Sequence, residues 1–167
     1  MKKALSLSLL ATVLVLLFLP ATAPALTPTS TEKQVISLIN KERTKRGLAK
    51  VSFKSSLTAA ARSHSTEMAK RRKLTHYSAN GNSVARRLRK KGYTSRGCSY
   101  WCVAENIARA KKGTLAATPR VIVAKWMGSS AHRKNILKSA FRDVGVGIRT
   151  SSDRKWYYTV DLGRRKG

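Results

Sequence analysis

Near the C-terminal end, two stretches alternate apolar residues with others at a period of two. Val144, Val146 and Ile148 recur within Asp143 to Thr150, and Trp156, Tyr158 and Val160 within Lys155 to Leu162. Successive strand side chains point to opposite faces, so each stretch has one apolar face. The polar segment Ser151 to Arg154 between them predicts an antiparallel hairpin. The other face of the first strand carries Gly145 and Gly147. Two positions without side chains on one face predict that another element packs there at backbone distance.

The residues ahead of the hairpin read as helices. Val35, Ile36, Leu38, Ile39 and Glu42 fit a 3.6-residue period from Thr31, with Gly47 as the stop. Asn40 and Arg43 share one face of that helix. Leu48 to Phe53 is a short connection with room for one extended piece. A second helix, capped by Ser55 or Ser56, has Leu57, Ala60, Ala61, His64 and Met68 as its inner stripe. Asn80 to Ser83 forms a turn that also caps a short, very basic helix anchored by Val84 and Leu88 and ended by Gly92. Thr118-Pro119 opens a further helix, with a hydroxyl for the cap and proline at the first helical position. Helices first and a hairpin last imply an α+β domain, helices layered on a small antiparallel sheet.

The first segment stands apart from this domain. Lys2 and Lys3 precede an apolar run from Ala4 to Leu19, then Pro20 and the small residues Ala23-Pro24-Ala25. A basic start, an apolar middle and an A-x-A site mark a secretory signal peptide, cut after Ala25. The rival is an uncleaved anchor, for which the run is short of the roughly 20 residues a span needs. In an exported chain, Cys98 and Cys102, the two cysteines, are expected to pair. The loop they would close is small, so its effect would be local shape before Val103-Ala104-Glu105.

The charge bears on partners. The chain has 35 Lys and Arg against 7 Asp and Glu, a net charge of +28, and the basic residues are spread along its length. Such a surface attracts polyanions: anionic wall polymers, sulfated glycans or anionic lipid surfaces. Nucleic acid is not the expected ligand, because no nucleic-acid motif is present and export argues against it.

Three histidines and one acid are candidates for chemistry. His64 lies on the inner stripe of its helix, where a core position competes with a ligand role. His76 sits at a helix-to-loop boundary, the kind of position that carries function. Glu105 is a lone acid inside the apolar run Val103 to Ala108. His132 follows a small-residue break, Gly128-Ser129-Ser130-Ala131, that ends one helical segment and starts another.

Taken in order, Leu38-Ile39-Asn40-Lys41-Glu42-Arg43, Leu74-Thr75-His76, Ala104-Glu105-Asn106-Ile107-Ala108, Trp126 to Leu137 and Val144-Gly145-Val146-Gly147 form a set. The set resembles the CAP superfamily, also called the SCP or SCP-like extracellular domain, in its bacterial secreted branch. The resemblance runs from about Thr31 to Gly163. With the segments read above, the chain divides into a signal peptide at 1–25, a flexible lead at 26–30, a CAP/SCP domain at 31–163 and a basic tail at 164–167. The resemblance implies a three-layer α-β-α sandwich with a surface cleft lined by a His/Glu tetrad. His76 and His132 match the two histidines of that tetrad and Glu105 one of its acids. Ser129 stands where the second acid follows Trp126, and Ala104 and Ala131 replace two usual glycines.

Three chemistries follow for such a cleft. His76 and His132, with Glu105, are candidate ligands for Zn²⁺ or another divalent cation, although the missing acid and the positive field oppose it. Ser129, His132 and Glu105 are candidates for a Ser-His-Glu hydrolase, but no nucleophile elbow or oxyanion hole is recognisable. The leading reading is a secreted binding module with no required cofactor. Its cleft of His76, Glu105, Ser129 and His132 would take a lipid, sterol, peptide or glycan, or a protein partner. Its basic surface would hold it to anionic wall or membrane.

Overall fold

The computed structural model describes residues 26–166; residues 1–25, read above as a signal peptide, and Gly167 lie outside the described residues. The elements in chain order are α1 (Ser30–Thr44), β1 (Ser52–Phe53), α2 (Ser55–Arg71), α3 (Val84–Lys90), β2 (Tyr100–Lys111), α4 (Pro119–Gly128), α5 (Ser130–Ile136), β3 (Asp143–Thr150) and β4 (Lys155–Lys166), with a 3-10 turn at Leu115–Ala117 before α4. The four strands form one sheet in the order β1-β3-β4-β2. The expected hairpin is β3 and β4, with Val146 opposite Val160 and Thr150 opposite Trp156.

Helices cover both faces of this sheet, giving the α-β-α sandwich. On one face Val144, Val146, Tyr158, Val160 and Leu162 meet Val35 and Ile39 of α1, Ile122, Val123 and Trp126 of α4, and Ile136 of α5 in the main core. On the other face α2 lies across β3. A Cβ on Gly145 would collide with the backbone of Leu57 and Thr58, and one on Gly147 with that of Ala61 and Arg62. The two glycines thus let helix backbone reach strand backbone. Ser65 fixes the contact, donating to the Gly147 carbonyl at 2.8 Å and sharing a 2.8 Å hydrogen bond with Thr159 Oγ1.

The helix termini follow sequence with three differences, at α2, at α4 and at α3, where Ser83 holds the cap position without a side-chain hydrogen bond. Thr29 and Glu32 form a reciprocal capping box on α1. At α2 neither Ser55 nor Ser56 caps. Lys54 holds that position in extended conformation while its N–H pairs with the Val144 carbonyl at 2.9 Å, so β1 runs straight into the helix. At α4 the Thr118 hydroxyl donates back to Leu115 O at 2.8 Å, and Pro119 alone marks the start.

Arg43 is fully buried without a carboxylate. It donates to the carbonyls of Ala49 (2.9 Å), Ile136 (2.7 Å), Lys138 (3.0 Å) and Phe141 (3.1 Å). Asn40, on the same face, exchanges two hydrogen bonds with the backbone of Val51. That face therefore stitches α1 to the connection before β1 and to the turn after α5.

Three sequence expectations change here. Cys98 and Cys102 are free, not paired. Cys102 is inside β2 and packs toward the main core, whereas Cys98 precedes the strand and its thiol turns back toward Thr94 O and Arg96 O. The two thiols therefore point into different surroundings. The residues read as a basic tail continue β4, with Arg164, Arg165 and Lys166 opposite Cys102, Trp101 and Tyr100. The lead is also engaged, since Thr29 caps α1 and Thr27 O accepts from Arg62 at 2.8 Å.

Gly147→Ala is expected to cost at least about 3 kcal/mol in urea denaturation, the upper range for overpacking, because backbone must move. Gly128→Ala is the control. Nothing lies within 4 Å of its added methyl and its φ is ordinary, so it should be neutral or stabilising by up to about 1 kcal/mol.

Candidate functional site

The site forms around β2, which is an edge strand. Alternation along β2 sends Glu105 and Asn106 to opposite faces. Glu105 points to the α2–α3 side, with Trp101, Val103 and Ile107. Asn106 points to the α4–α5 side, where its amide donates to His132 O at 3.0 Å. Asn135 of α5 donates to Asn106 Oδ1 at 2.9 Å and to Glu105 O at 3.3 Å. Trp126 Nε1 donates to Ile107 O at 3.1 Å. Side chains of α4 and α5 thus occupy acceptors of the edge strand and set His132 beside it.

Glu105 has a side chain only 1% exposed, and both of its oxygens are taken. His76 Nδ1–H donates to Oε1 at 2.8 Å, and Arg87 donates to Oε2. Arg87 also donates to His76 O at 2.7 Å and Asn82 O at 3.1 Å, so it fixes the loop that carries His76. His64 lies behind, its Nε2 3.9 Å from Glu105 Oε1 and donating to Thr75 O at 2.8 Å. Its Nδ1 is buried without a partner. A neutral imidazole protonated at Nε2 suits that arrangement, and burial holds its pKa below the usual value. His64 therefore supports the site from within, while the His76 side chain remains 48% exposed.

His132 is partly buried, and its Nδ1 lies 2.9 Å from Ser129 Oγ. Burial first, and then the neighbouring His76, lower its pKa. The structure thus brings His76 and His132 together from opposite layers across the sheet edge. The Glu105 carboxyl hydrogen-bonds His76 and Arg87, not His132, so the third link of a Ser-His-Glu relay is not made. Among the described residues no three His, Cys, Asp or Glu side chains converge as a metal-binding group. Open zinc sites take three protein ligands. With both Glu105 oxygens committed, the two imidazoles fall short of that set.

Two contributors escaped sequence reading. Arg87 was one basic residue among many. Asp161 faces Glu105 across the β2–β4 ladder and is 1% exposed. Both of its oxygens are buried without a hydrogen-bond donor. Burial, and next the Glu105 charge, push the Asp161 carboxyl well above the ordinary range. A protonated Asp161 can donate its hydroxyl to Glu105, which leaves only its carbonyl oxygen without a partner among the described residues. The alternation of Tyr157, Thr159 and Asp161 opposite the apolar face was the available signal. A cavity of about 300 Å³ adjoins the site through Arg87 and is walled by Ser63, Glu67, Asn82 and Lys91 among others.

Comparison with known proteins places this geometry. The model of a family described as "CAP: Cysteine-rich secretory protein family" matches residues 36–162. Protein YkwD of Bacillus subtilis (strain 168) is 37% identical over 116 residues, covering 70% of this chain and 41% of that protein. Membrane protein YlbC of the same organism is 34% identical over 137 residues, covering 82% and 35%. The chain thus spans less than half the length of either relative. An extracellular protein containing an SCP domain from Bacillus anthracis superposes with a TM-score of 0.67 at 24% identity, over 81% of this chain and 40% of that one. An outer surface protein of Borrelia burgdorferi superposes with a TM-score of 0.68 at 20% identity, over 80% and 92%. Both show the same fold. No helix among the described residues is long and apolar enough to cross a membrane.

Two substitutions should move stability with pH in opposite senses. The native pKa of His64 is lowered from 6.5, so the stability it lends is full above pH 6.5 and falls as pH drops below that value. His64→Gln should flatten this loss. The native pKa of Asp161 is raised from 3.8, so its contribution is full below pH 3.8 and is lost as pH rises toward the native value. The stability of Asp161→Asn relative to wild type should therefore increase from pH 3.5 to pH 7. Urea denaturation across pH 3.5–8 measures both.

Proposed function

The chain belongs to the cysteine-rich secretory protein (CAP) family, and on that premise we propose that it acts outside the cell as a binding module. The observation that carries this reading is the state of Glu105. Its carboxyl is spent on Arg87 and His76, so the acid builds a scaffold instead of serving as a ligand or orienting His132. What the site offers outward is the half-exposed His76, flanked in the chain by exposed Leu74 and Tyr77, with His132 beside it. An imidazole between apolar and aromatic side chains suits a lipid, sterol, peptide or glycan, or a protein segment. The mechanism has no metal step.

The second part of the proposal is localisation by charge. Five of the seven acids, Glu32, Glu42, Glu67, Glu105 and Asp153, are in ion pairs, while Asp161 is buried and Asp143 accepts from Tyr93 Oη. The surplus cations face anionic wall polymer or membrane. A polyanion that neutralises several of them releases counterions, so affinity falls steeply with salt. Retention on poly(glycerol phosphate) and on heparin is expected to weaken at least about 100-fold between 50 and 200 mM NaCl. Salt-independent retention would refute the charge-based localisation. His76→Ala should leave this retention unchanged, because His76 belongs to the cleft.

The 2.9 Å contact between Ser129 and His132 supports one further reading, a hydrolase in which that pair acts without Glu105 as its orienting acid. It predicts hydrolysis of an ester and peptide panel that disappears in Ser129→Ala. The binding reading predicts no difference between that variant and wild type.

A further inference from the structure

We propose that the polyanion-binding face is the end of the molecule where α3 meets the paired ends of β2 and β4, and that its partner is a phosphodiester wall polymer. The core of the face is two guanidinium groups laid on aromatic rings. Arg89 of α3 lies over the Trp101 ring, 4.7 Å from its centroid. Arg165 of β4 lies over the Tyr93 ring at 5.8 Å. Trp101 and Arg165 are direct partners in the β2–β4 ladder, so the two guanidiniums flank one tryptophan.

The rings are fixed. Tyr93 is fully buried, its phenol donates to Asp143 Oδ2 at 2.7 Å, and its ring lies where a Cβ on Gly163 would be. Trp101 packs with Leu57, Leu88 and Val103. Rings held this way hold the guanidiniums above them, which lowers the entropy lost when an anion binds.

Beyond this stacking, neither guanidinium has a charged partner among the described residues. No ion pair among the described residues includes Arg89 or Arg165. Arg165 Nε and Trp101 Nε1 are buried donors without partners. No Asp or Glu occurs between Glu67 and Glu105 or after Asp161, so nothing within either segment competes with an incoming anion. Lys90, Lys91, Arg96 and Lys166 are exposed around this core.

Charge and shape together select the occupant. A planar guanidinium matches two oxygens of a phosphate, which a compact ammonium does not. Two such groups with cations on either side suit a chain of repeated phosphates better than a single one. A bilayer fits less well. The rings of this face lie beneath guanidiniums instead of standing free for insertion, and Tyr100 is its one exposed large hydrophobic residue among those described.

The placement rests on the polyanion reading above, and the test separates the two. Binding of poly(glycerol phosphate) is measured against salt for wild type, for Arg89→Gln/Arg165→Gln, and for Lys50→Gln/Lys125→Gln, an equal charge loss at exposed positions elsewhere. Circular dichroism and thermal melting confirm folding of each. The face pair should lose at least about tenfold in affinity and flatten the log–log salt slope by about 1.5, while the control pair loses less than about threefold. Arg89→Lys/Arg165→Lys, which keeps the charge, should lose about threefold or more. Equal losses in the face and control pairs would overturn the placement while leaving polyanion binding intact. A lysine pair binding like wild type would overturn the role of the stacked guanidiniums. No wild-type binding would overturn both readings. Tighter, equally Arg89- and Arg165-dependent binding to phosphatidylglycerol vesicles would assign the face to lipid and refute the polymer.

Discussion

The contact on which the rest of the site depends is the one between α2 and β3 at Gly145 and Gly147. With any side chain at either position, helix backbone and strand backbone could not meet as they do. Because they meet, Ser65 reaches the Gly147 carbonyl and Thr159, and His64, one residue earlier, points toward Glu105. The chain leaving α2 then passes His64, which holds Thr75 O, and delivers His76 to the same carboxyl. The depth at which one helix sits therefore decides where an imidazole on the following loop ends up.

The protein handles its excess of positive charge in two ways. Most surface acids sit in local pairs such as Glu42 with Arg46 or Glu67 with Arg71, which add little stability each. Inside, Arg43 and Arg87 are buried for different purposes. Arg87 meets a carboxyl and backbone oxygens and shapes the site. Arg43 meets only carbonyls, and burial followed by the charge of Arg142 lowers its pKa. An unpaired buried charge is costly, and a full set of hydrogen bonds is what makes it tolerable. Asp161 takes the opposite solution: buried without donors, its carboxyl favours the uncharged form.

How much of this was legible in sequence depended on pattern strength. The hairpin and its glycine face could be read because period-two alternation is a direct trace of strand geometry. The helices could be read from their apolar stripes, and the family set located His76, Glu105 and His132. The twelve residues of β2 could not be read as a strand, because small residues such as Ala104, Ala108 and Ala110 blur the alternation. Missing that strand hid the two-faced placement of Glu105 and Asn106, and with it the separation of Glu105 from His132. Arg164 to Lys166 read as a tail because charge resembled a solvated end, whereas their pairing partners lie over sixty residues away. The cysteine pair was inferred from compartment alone, and strand geometry turned the two thiols apart.

The strand order β1-β3-β4-β2 also bears on how the molecule comes into being. The two inner strands are the last two in the chain, and the outer strands precede them. A polypeptide that has emerged only as far as Leu137 holds β1 and β2 with nothing between them, α2 with no glycine face to lie on, and Arg43 without the carbonyls of Lys138 and Phe141. The sheet therefore cannot be completed until the hairpin arrives. Non-local closure of this kind is slow. A chain whose sheet stays open until Asp143 to Lys166 have appeared cannot complete its core before nearly all of it has been made.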